Sequence, residues 1–137
     1  MPEQCHIKSC QIPIRVRYCE VDRQNALHHS RYAIYFEMGR TELLRTNGYD
    51  YKSLEDKGIW LVVARLECRF HHPARYDDEL ILTTTTSKTD RVKLEHSYSL
   101  TRPSDSRLIA EGKTLLVHVD KTGQLQPLPD FLKLAPQ

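Results

Sequence analysis

One long helical segment stands between a single short β-like segment and a series of four, and this order restricts the chain to few folds. Residues 30–46 include a largely apolar stretch at 32–38 and end at Asn47 and the glycine after it, a helix-stop pattern. Ser30 suits the N-cap position. A helix with so many apolar residues is expected to be surrounded by protein on most sides. Gly39 in its middle costs about 1 kcal/mol of helix propensity, so we expect another element to approach it closely.

The remaining segments alternate between apolar and polar residues, which is the period of a half-buried β-strand. The first runs through residues 11–18, and Pro13 suggests that it starts at or near a sheet edge. Four more follow the helix, at residues 60–70, 80–86, 92–100 and 108–119. One face of the first of these four is predicted to carry Trp60, Val62, Ala64, Leu66, Cys68 and Phe70.

Short turns connect these segments into one domain. Residues 90–91 and 103–105 have turn composition, which predicts antiparallel neighbours, and residues 51–57 suit a short helical turn. At 137 residues the chain has the length of one domain, so residues 1–137 are expected to form a single unit. The order predicts an α+β layout with one antiparallel sheet around one helix.

Charge and hydropathy exclude several classes of protein. The net charge of +2, from 20 basic and 18 acidic residues, argues against a dedicated nucleic-acid-binding protein. No membrane-spanning apolar run and no signal-peptide core occur, so the chain is predicted to be cytoplasmic, without membrane insertion. Its four cysteines are then expected to be reduced thiols. Cys5, His6 and Cys10 match no zinc spacing, so we expect surface residues there and no metal.

A set of short motifs runs through the chain in a fixed order. Tyr18, Glu20 and Asp22 are followed, after six further residues, by His29 and then Tyr32. Later motifs are Arg40-Thr41-Glu42, His72-Pro73-Ala74-Arg75-Tyr76-Asp77-Asp78 and Pro127-Leu128-Pro129. Together they resemble the 4-hydroxybenzoyl-CoA thioesterase-like family, and most closely its short-chain acyl-CoA thioesterases associated with the Tol–Pal system. The resemblance covers nearly the whole chain and implies the hotdog fold, a five-stranded antiparallel sheet wrapped around one long central helix.

Two positions depart from the pattern of this family. The family usually has a glycine in the loop after the aspartate, where this chain has Gln24 and Asn25. Because asparagine tolerates a positive φ better than most residues, Asn25 is expected to keep the shape of the loop. Arg31 stands where the family often has asparagine, and this change is expected to influence acyl preference.

The resemblance implies hydrolysis of an acyl-CoA thioester without a cofactor or metal. Asp22 would be the nucleophile or the general base for water, whereas an isolated aspartate at such a place would simply cap a helix or end a strand. The backbone N–H of His29 would bind the carbonyl oxygen, and removing one such donor typically costs about 2.7–4 kcal/mol. The His29 side chain would orient substrate, protonate the leaving thiolate or merely pack. The residues expected to line the substrate site are Asn25, His28 and Tyr32.

Coenzyme A carries phosphates, so basic residues are expected near the mouth of the pocket. Arg75 and Arg91 are candidates for this role, and solvated loop charges are the alternative. Glu37 is expected to form an i,i+3 ion pair with Arg40 rather than to take part in catalysis. The strand at residues 60–70 begins with apolar residues on both faces and should be paired or covered. The resemblance accordingly implies a homodimer through a continuous sheet, or a homotetramer of two such dimers.

Three alternatives stay open from the sequence. An enoyl-CoA hydratase or hydroxyacyl dehydratase on the same fold would use Asp22 and His29 as an acid–base pair, although the spacing and glycine context of such enzymes differ. A non-enzymatic acyl-CoA-binding protein would have no need of Asp22. Acyl-carrier protein would be another thiol carrier. The sequence does not distinguish aromatic from aliphatic acyl groups or indicate their length.

Overall fold

The structure, a computed structural model, describes residues 7–135. This part of the chain forms five strands and two α-helices: β1 Ser9–Arg15, α1 Ser30–Thr46, α2 Tyr51–Asp56, β2 Trp60–Phe70, β3 Glu79–Thr89, β4 Lys93–Arg102 and β5 Arg107–Val119. Single 3-10 turns lie at Tyr18–Glu20 and Asp130–Leu132. The strands make one antiparallel sheet in the order β1-β3-β4-β5-β2. The predicted α+β architecture is confirmed, including an edge position for β1.

Helix α1 lies across β1, β3 and β4 and supplies the centre of the core. Its buried side chains recur at spacings of three and four residues, which places them on one face of the helix. Phe36 is fully buried and stacks on Tyr98 of β4, with 4.3 Å between ring centroids. A second apolar cluster, around Leu54 and Leu94, closes the end of the sheet at which α1 terminates. The helix is thereby fixed along its whole length.

Gly39 has the close neighbour that the sequence predicts. A Cβ at this position would overlap Thr84 Oγ1 and lie 2.7 Å from Leu82 Cδ2, so α1 and β3 approach more closely than a side chain would permit. Gly112 of β5 allows a second close contact with α1, because a Cβ at this position would lie 2.5 Å from the Phe36 ring. A glycine on the helix and another in the sheet thus allow the tight packing of α1.

Strand β2 does not follow the predicted alternation, because it contains a β-bulge. Val63 pairs with Leu116 whereas Arg65 pairs with Leu115, so Ala64 is an extra residue in the ladder. An extra residue inverts the alternation of faces beyond it. The prediction that all six side chains from Trp60 to Phe70 share one face is therefore wrong. The side chains that face inward are Leu61, Val63, Leu66, Cys68 and Phe70; all except Cys68 lie opposite buried residues of β5.

Two expectations about α1 also change. The helix spans the predicted residues, but its N-cap position is His29, and Ser30 is the first helical residue. One flank of the helix stays open in the single chain, where Ile34 is 42 % exposed and Met38 is 44 % exposed.

Cys10 lies on β1, while Cys5 and His6 lie outside the described residues. Among residues 7–135, no helix is long and apolar enough to cross a membrane.

Candidate active site

A short hairpin carries Asp22 back to the start of α1. Val21 pairs with Leu27 as an isolated antiparallel bridge, and the His28 amide donates to the Glu20 carbonyl at 2.9 Å. The Leu27 amide donates to the Ala74 carbonyl at 2.8 Å, which anchors the hairpin on the segment after β2. The structure therefore brings the residues before and after the loop side by side, so that the loop and the helix N-terminus form one region.

The carboxylate of Asp22 organises the loop in which it lies. Its Oδ1 accepts hydrogen bonds from the amides of Gln24, at 2.8 Å, and Ala26, at 3.2 Å. Within residues 7–135, no protein group donates a hydrogen bond to Oδ2, and the side chain is exposed. One oxygen thus fixes the turn, and the other has no protein partner.

Asn25 adopts the backbone conformation predicted for it, with φ at +56°. Its side-chain oxygen accepts a hydrogen bond from the Tyr76 amide at 3.1 Å, so it also links the loop to the segment after β2. The Arg75 guanidinium reaches the same loop and donates to the carbonyls of Gln24, at 3.1 Å, and Asn25, at 3.3 Å. In the single chain, then, both Asn25 and Arg75 hold the Asp22 loop in place.

Glu20 of the first motif is a buried carboxylate, and no role was predicted for it. Its Oε1 accepts hydrogen bonds from the Arg17 amide at 2.8 Å and from the Tyr35 hydroxyl at 2.9 Å. Burial acts to raise the pKa of Glu20, but these hydrogen bonds and the Arg17 charge outweigh it and lower the pKa below its ordinary value. An ionised Glu20 thereby ties the hairpin to α1. The only signal in the sequence is its place two residues before Asp22.

At the N-terminus of α1, the two adjacent histidines take different positions. The His28 ring accepts a hydrogen bond from the Ser30 amide through Nδ1, at 3.2 Å, and so provides the cap that was expected from Ser30. His29 occupies the N-cap position without a side-chain cap, and its ring lies 4.1 Å from that of His28. No acceptor for the His29 amide occurs within the described part of the chain. This N–H is therefore an unpaired donor at the positive end of the helix dipole.

Tyr32 closes the first turn of the helix on the inner side of the sheet. It is buried and meets Phe70, the last residue of β2, edge to face with 4.8 Å between ring centroids. Burial raises the pKa of Tyr32 to about 12, so its hydroxyl stays neutral at physiological pH. Phe70 itself is 56 % exposed. An aromatic surface therefore lies beside the first turn of the helix.

Arg91 is the one predicted site residue that lies apart from the others in the single chain. It belongs to the turn between β3 and β4, where its carbonyl accepts a hydrogen bond from the Leu128 amide at 2.6 Å. Asp22 and the helix start lie at the opposite end of the sheet.

His71 and His72 bond to Glu111 and to the Leu108 carbonyl, as turn residues do. Glu37 lies 3.8 Å from Arg40 in the predicted ion pair. No group of three His, Cys, Asp or Glu side chains in residues 7–135 is arranged to hold a metal.

A five-stranded antiparallel sheet around one long helix, with a carboxylate loop at the helix N-terminus, defines a hotdog-fold protein. A thioesterase from Staphylococcus aureus that acts on DHNA-CoA has the same fold. Its crystal structure superposes with a TM-score of 0.81 at 23 % identity, covering 89 % of this chain and 80 % of that one.

Family membership follows from the sequence match as well as from the fold. The chain belongs to the thioesterase-like superfamily, whose family model matches residues 16–135. The acyl-CoA thioesterase YbgC of Haemophilus influenzae is 29 % identical over 117 residues, which are 85 % of this chain and 84 % of that protein. The acyl-CoA thioester hydrolase YbgC of Escherichia coli O157:H7 is 28 % identical over 108 residues, which are 79 % of this chain and 80 % of that protein. The resemblance recognised in the sequence is confirmed.

Proposed function

We propose that this protein hydrolyses acyl-CoA thioesters to a free carboxylic acid and coenzyme A. Membership of the thioesterase-like superfamily and similarity to proteins named as acyl-CoA thioesterases support the proposal. The observation that carries it is a combination at one end of the fold. A carboxylate oxygen without a protein donor, Asp22 Oδ2, belongs to the hairpin that leads directly into the unpaired N–H of His29.

In this proposal the helix N-terminus polarises the thioester. The carbonyl oxygen accepts a hydrogen bond from the His29 amide, where the helix dipole also stabilises the negative charge that develops. The amides of Gln24 and Ala26 hold Asp22 Oδ1, so the carboxylate is oriented before substrate arrives. Preorganised donors and a fixed carboxylate lower the reorganisation needed in the transition state.

Two routes lead from this arrangement to the same products. In the first, Asp22 Oδ2 bonds to the carbonyl carbon, the C–S bond breaks, and water then cleaves the mixed anhydride. In the second, Asp22 takes a proton from water as the water oxygen attacks, and the thiolate leaves. In both, the thiolate of coenzyme A gains a proton, for which the His29 ring is the proposed donor. Asn25, His28 and Tyr32 are proposed to line the site.

Asp22→Asn tests this proposal, because asparagine can keep an oxygen for the two loop amides while losing the nucleophile or base. Purified protein is mixed with acetyl-, butyryl- and benzoyl-CoA, and release of free thiol is followed. We expect kcat to fall by about 100-fold or more. Asp77→Asn is a matched control, since Asp77 is another exposed loop carboxylate and its φ of +69° suits asparagine. A folded wild-type protein that releases no thiol from any of these substrates would overturn the proposal.

We also propose that the protein works as a homodimer joined through β2, with two dimers forming a tetramer. β2 is an edge strand of 11 residues, and Val62, Val63 and Leu66 on it are each more than 40 % exposed. A long apolar edge strand of this kind favours pairing with another strand. Arg91 would approach a catalytic loop only in such an assembly, and Arg75 would contact coenzyme A beside its own loop. Sedimentation as a monomer at micromolar concentration would contradict this assembly.

A further inference from the structure

The inner face of β2 beyond the bulge is only partly covered by the helix of its own chain. Leu66, Cys68 and Phe70 lie opposite Thr114, Gly112 and Ala110 of β5. These partners face the core, where Thr114 is 1 % exposed and Ala110 is fully buried. Because α1 packs mainly on β1, β3 and β4, its side chains cover Gly112 of β5 but only part of the inner face of β2. Leu66 is consequently 48 % exposed and Phe70 56 % exposed, although both point inward.

The open face begins at the N-terminus of α1. β2 runs toward this end of the fold, so Phe70 is the inward side chain of β2 that meets the first turn of the helix, through Tyr32. Cys68 is the next inward side chain, half-buried behind Phe70. Opposite it stands Gly112, over which the Phe36 ring of α1 lies. An apolar surface therefore leads away from the helix N-terminus along β2.

Two neighbours of the helix N-terminus differ in polarity. One is the hairpin with Asp22, Gln24 and Asn25, whose amides, carbonyls and side chains are polar. The other is the exposed ring of Phe70, which contacts Tyr32 in the first turn of the helix. A thioester bound at the His29 amide has one apolar substituent, the acyl group, and one that carries amides and phosphates. Because an apolar group binds more favourably to an apolar surface than to a polar one, we expect the acyl group to lie toward β2.

We propose that Phe70 and Cys68 form one wall of the acyl subsite and determine which acyl groups are accepted. This inference rests on the proposed hydrolysis of acyl-CoA. Phe70 contacts the first carbons beyond the carbonyl, and Cys68 limits how far the acyl chain extends along β2. The ligand is an apolar acyl group, and the role of both side chains is contact rather than chemistry.

Cys68 has the properties of a wall residue. A free cysteine that is partly buried behaves as a small apolar side chain. Burial raises the pKa of Cys68 to about 11, so the thiol is protonated at neutral pH and is a poor nucleophile. Its small volume leaves room that a larger side chain would fill. Enlarging Cys68 is therefore expected to shorten the longest acyl chain that the enzyme accepts.

The test compares kcat/KM across acetyl-, butyryl-, hexanoyl- and benzoyl-CoA for the wild type, Cys68→Leu and Phe70→Ala. For Cys68→Leu, the ratio of kcat/KM for the best longer or aromatic substrate to that for acetyl-CoA is expected to fall about 10-fold or more. For Phe70→Ala, the same ratio is expected to fall about 10-fold, because the larger acyl group loses its contact. Glu67→Ala is the control, since Glu67 lies directly before Cys68 in sequence and faces outward. It is expected to leave the ratio unchanged.

The outcomes separate this inference from the proposed function. Wild-type protein without thioesterase activity contradicts the function itself. Active variants of Cys68 and Phe70 whose substrate ratios match the wild type overturn the inference and leave the function intact. If Cys68→Leu fails to fold, Cys68→Val makes the same comparison with a smaller increase in volume. Circular dichroism and sedimentation show for each variant that fold and assembly are retained.

Discussion

At the scale of single residues, the Asp22 loop depends on side chains that hold it in one conformation. Asn25 combines a left-handed backbone with a hydrogen bond to the Tyr76 amide, and Arg75 binds two loop carbonyls. Neither residue needs to touch substrate to affect the reaction, because each fixes the loop from which the Asp22 carboxylate projects. A loop held at several points keeps its carboxylate oriented without rearrangement when substrate binds.

Asn25→Ala and Asn25→Gly separate the two contributions of this residue. Both variants lose the hydrogen bond to Tyr76, but only alanine is strained at a positive φ. We expect the free energy of unfolding to fall by about 1 kcal/mol more for alanine than for glycine. Urea unfolding of both variants and the wild type measures the difference. Equal stability of the alanine and glycine variants would show that the left-handed backbone at residue 25 imposes no strain.

At the scale of elements, the close contact between α1 and β3 is fixed by a residue without a side chain. Gly39→Ala should raise helix propensity by about 1 kcal/mol, yet the added Cβ meets Thr84 and Leu82 of β3. Overpacking of this kind typically costs about 1–3 kcal/mol, so we expect a net loss of stability. Adding Thr84→Ala to the same chain should recover part of the loss, because it removes the nearest atom. Thermal unfolding of the single and double variants measures both effects, and a more stable Gly39→Ala protein would contradict the close approach.

Most elements of this fold could be predicted because their signals are local. The apolar stretch and the Asn47 stop pattern mark α1, and the alternation of apolar residues marks the strands. The β-bulge at Ala64 could not be predicted, since apolar residues continue regularly through β2 and the extra residue appears only against the register of β5. A single extra residue inverts every following side chain. For this reason Cys68 and Phe70 become inner-face residues, whereas Trp60 and Val62 face outward.

Some features of the candidate site could likewise be predicted from the sequence, and others could not. Asp22 and His29 could be proposed only through the family resemblance of one short segment, whereas the positive φ of Asn25 follows from its residue type. Glu20 belongs to the first motif, but its burial could not be predicted, because it depends on Tyr35, which lies 15 residues away. The capping role of His28 also depends on how the hairpin enters the helix. Arg91 has the charge expected of a phosphate-binding residue, but it lies at the far end of the sheet from Asp22. Its position depends on the length and direction of β3, which the composition of the segment does not reveal.

At the scale of the whole molecule, the core contains polar groups that must stay neutral or paired. His96 of β4 is 5 % exposed and lies between Thr86 of β3 and Thr114 of β5. Its Nδ1 has no hydrogen-bond partner within the described residues. Burial and, after it, the nearby Arg40 charge lower the pKa of His96 to about 3. The folded protein therefore excludes a proton that the unfolded chain readily binds.

This difference predicts a loss of stability in mild acid. An unfolded histidine titrates near pH 6.5, so between pH 6.5 and 3 the unfolded state binds one proton more than the folded state, and the free energy of unfolding falls as the pH drops. The slope approaches about 1.4 kcal/mol per pH unit, or about 2 kcal/mol between pH 7 and pH 5. Carboxylates with lowered pKa values, such as Glu20, lose their contribution mainly below their unfolded value of 4.5, which lies outside the interval from pH 7 to pH 5. Urea unfolding at fixed protein concentration should show the slope in the wild type and a much smaller one in His96→Phe. Equal slopes in the two proteins would mean that His96 is not the group that excludes the proton.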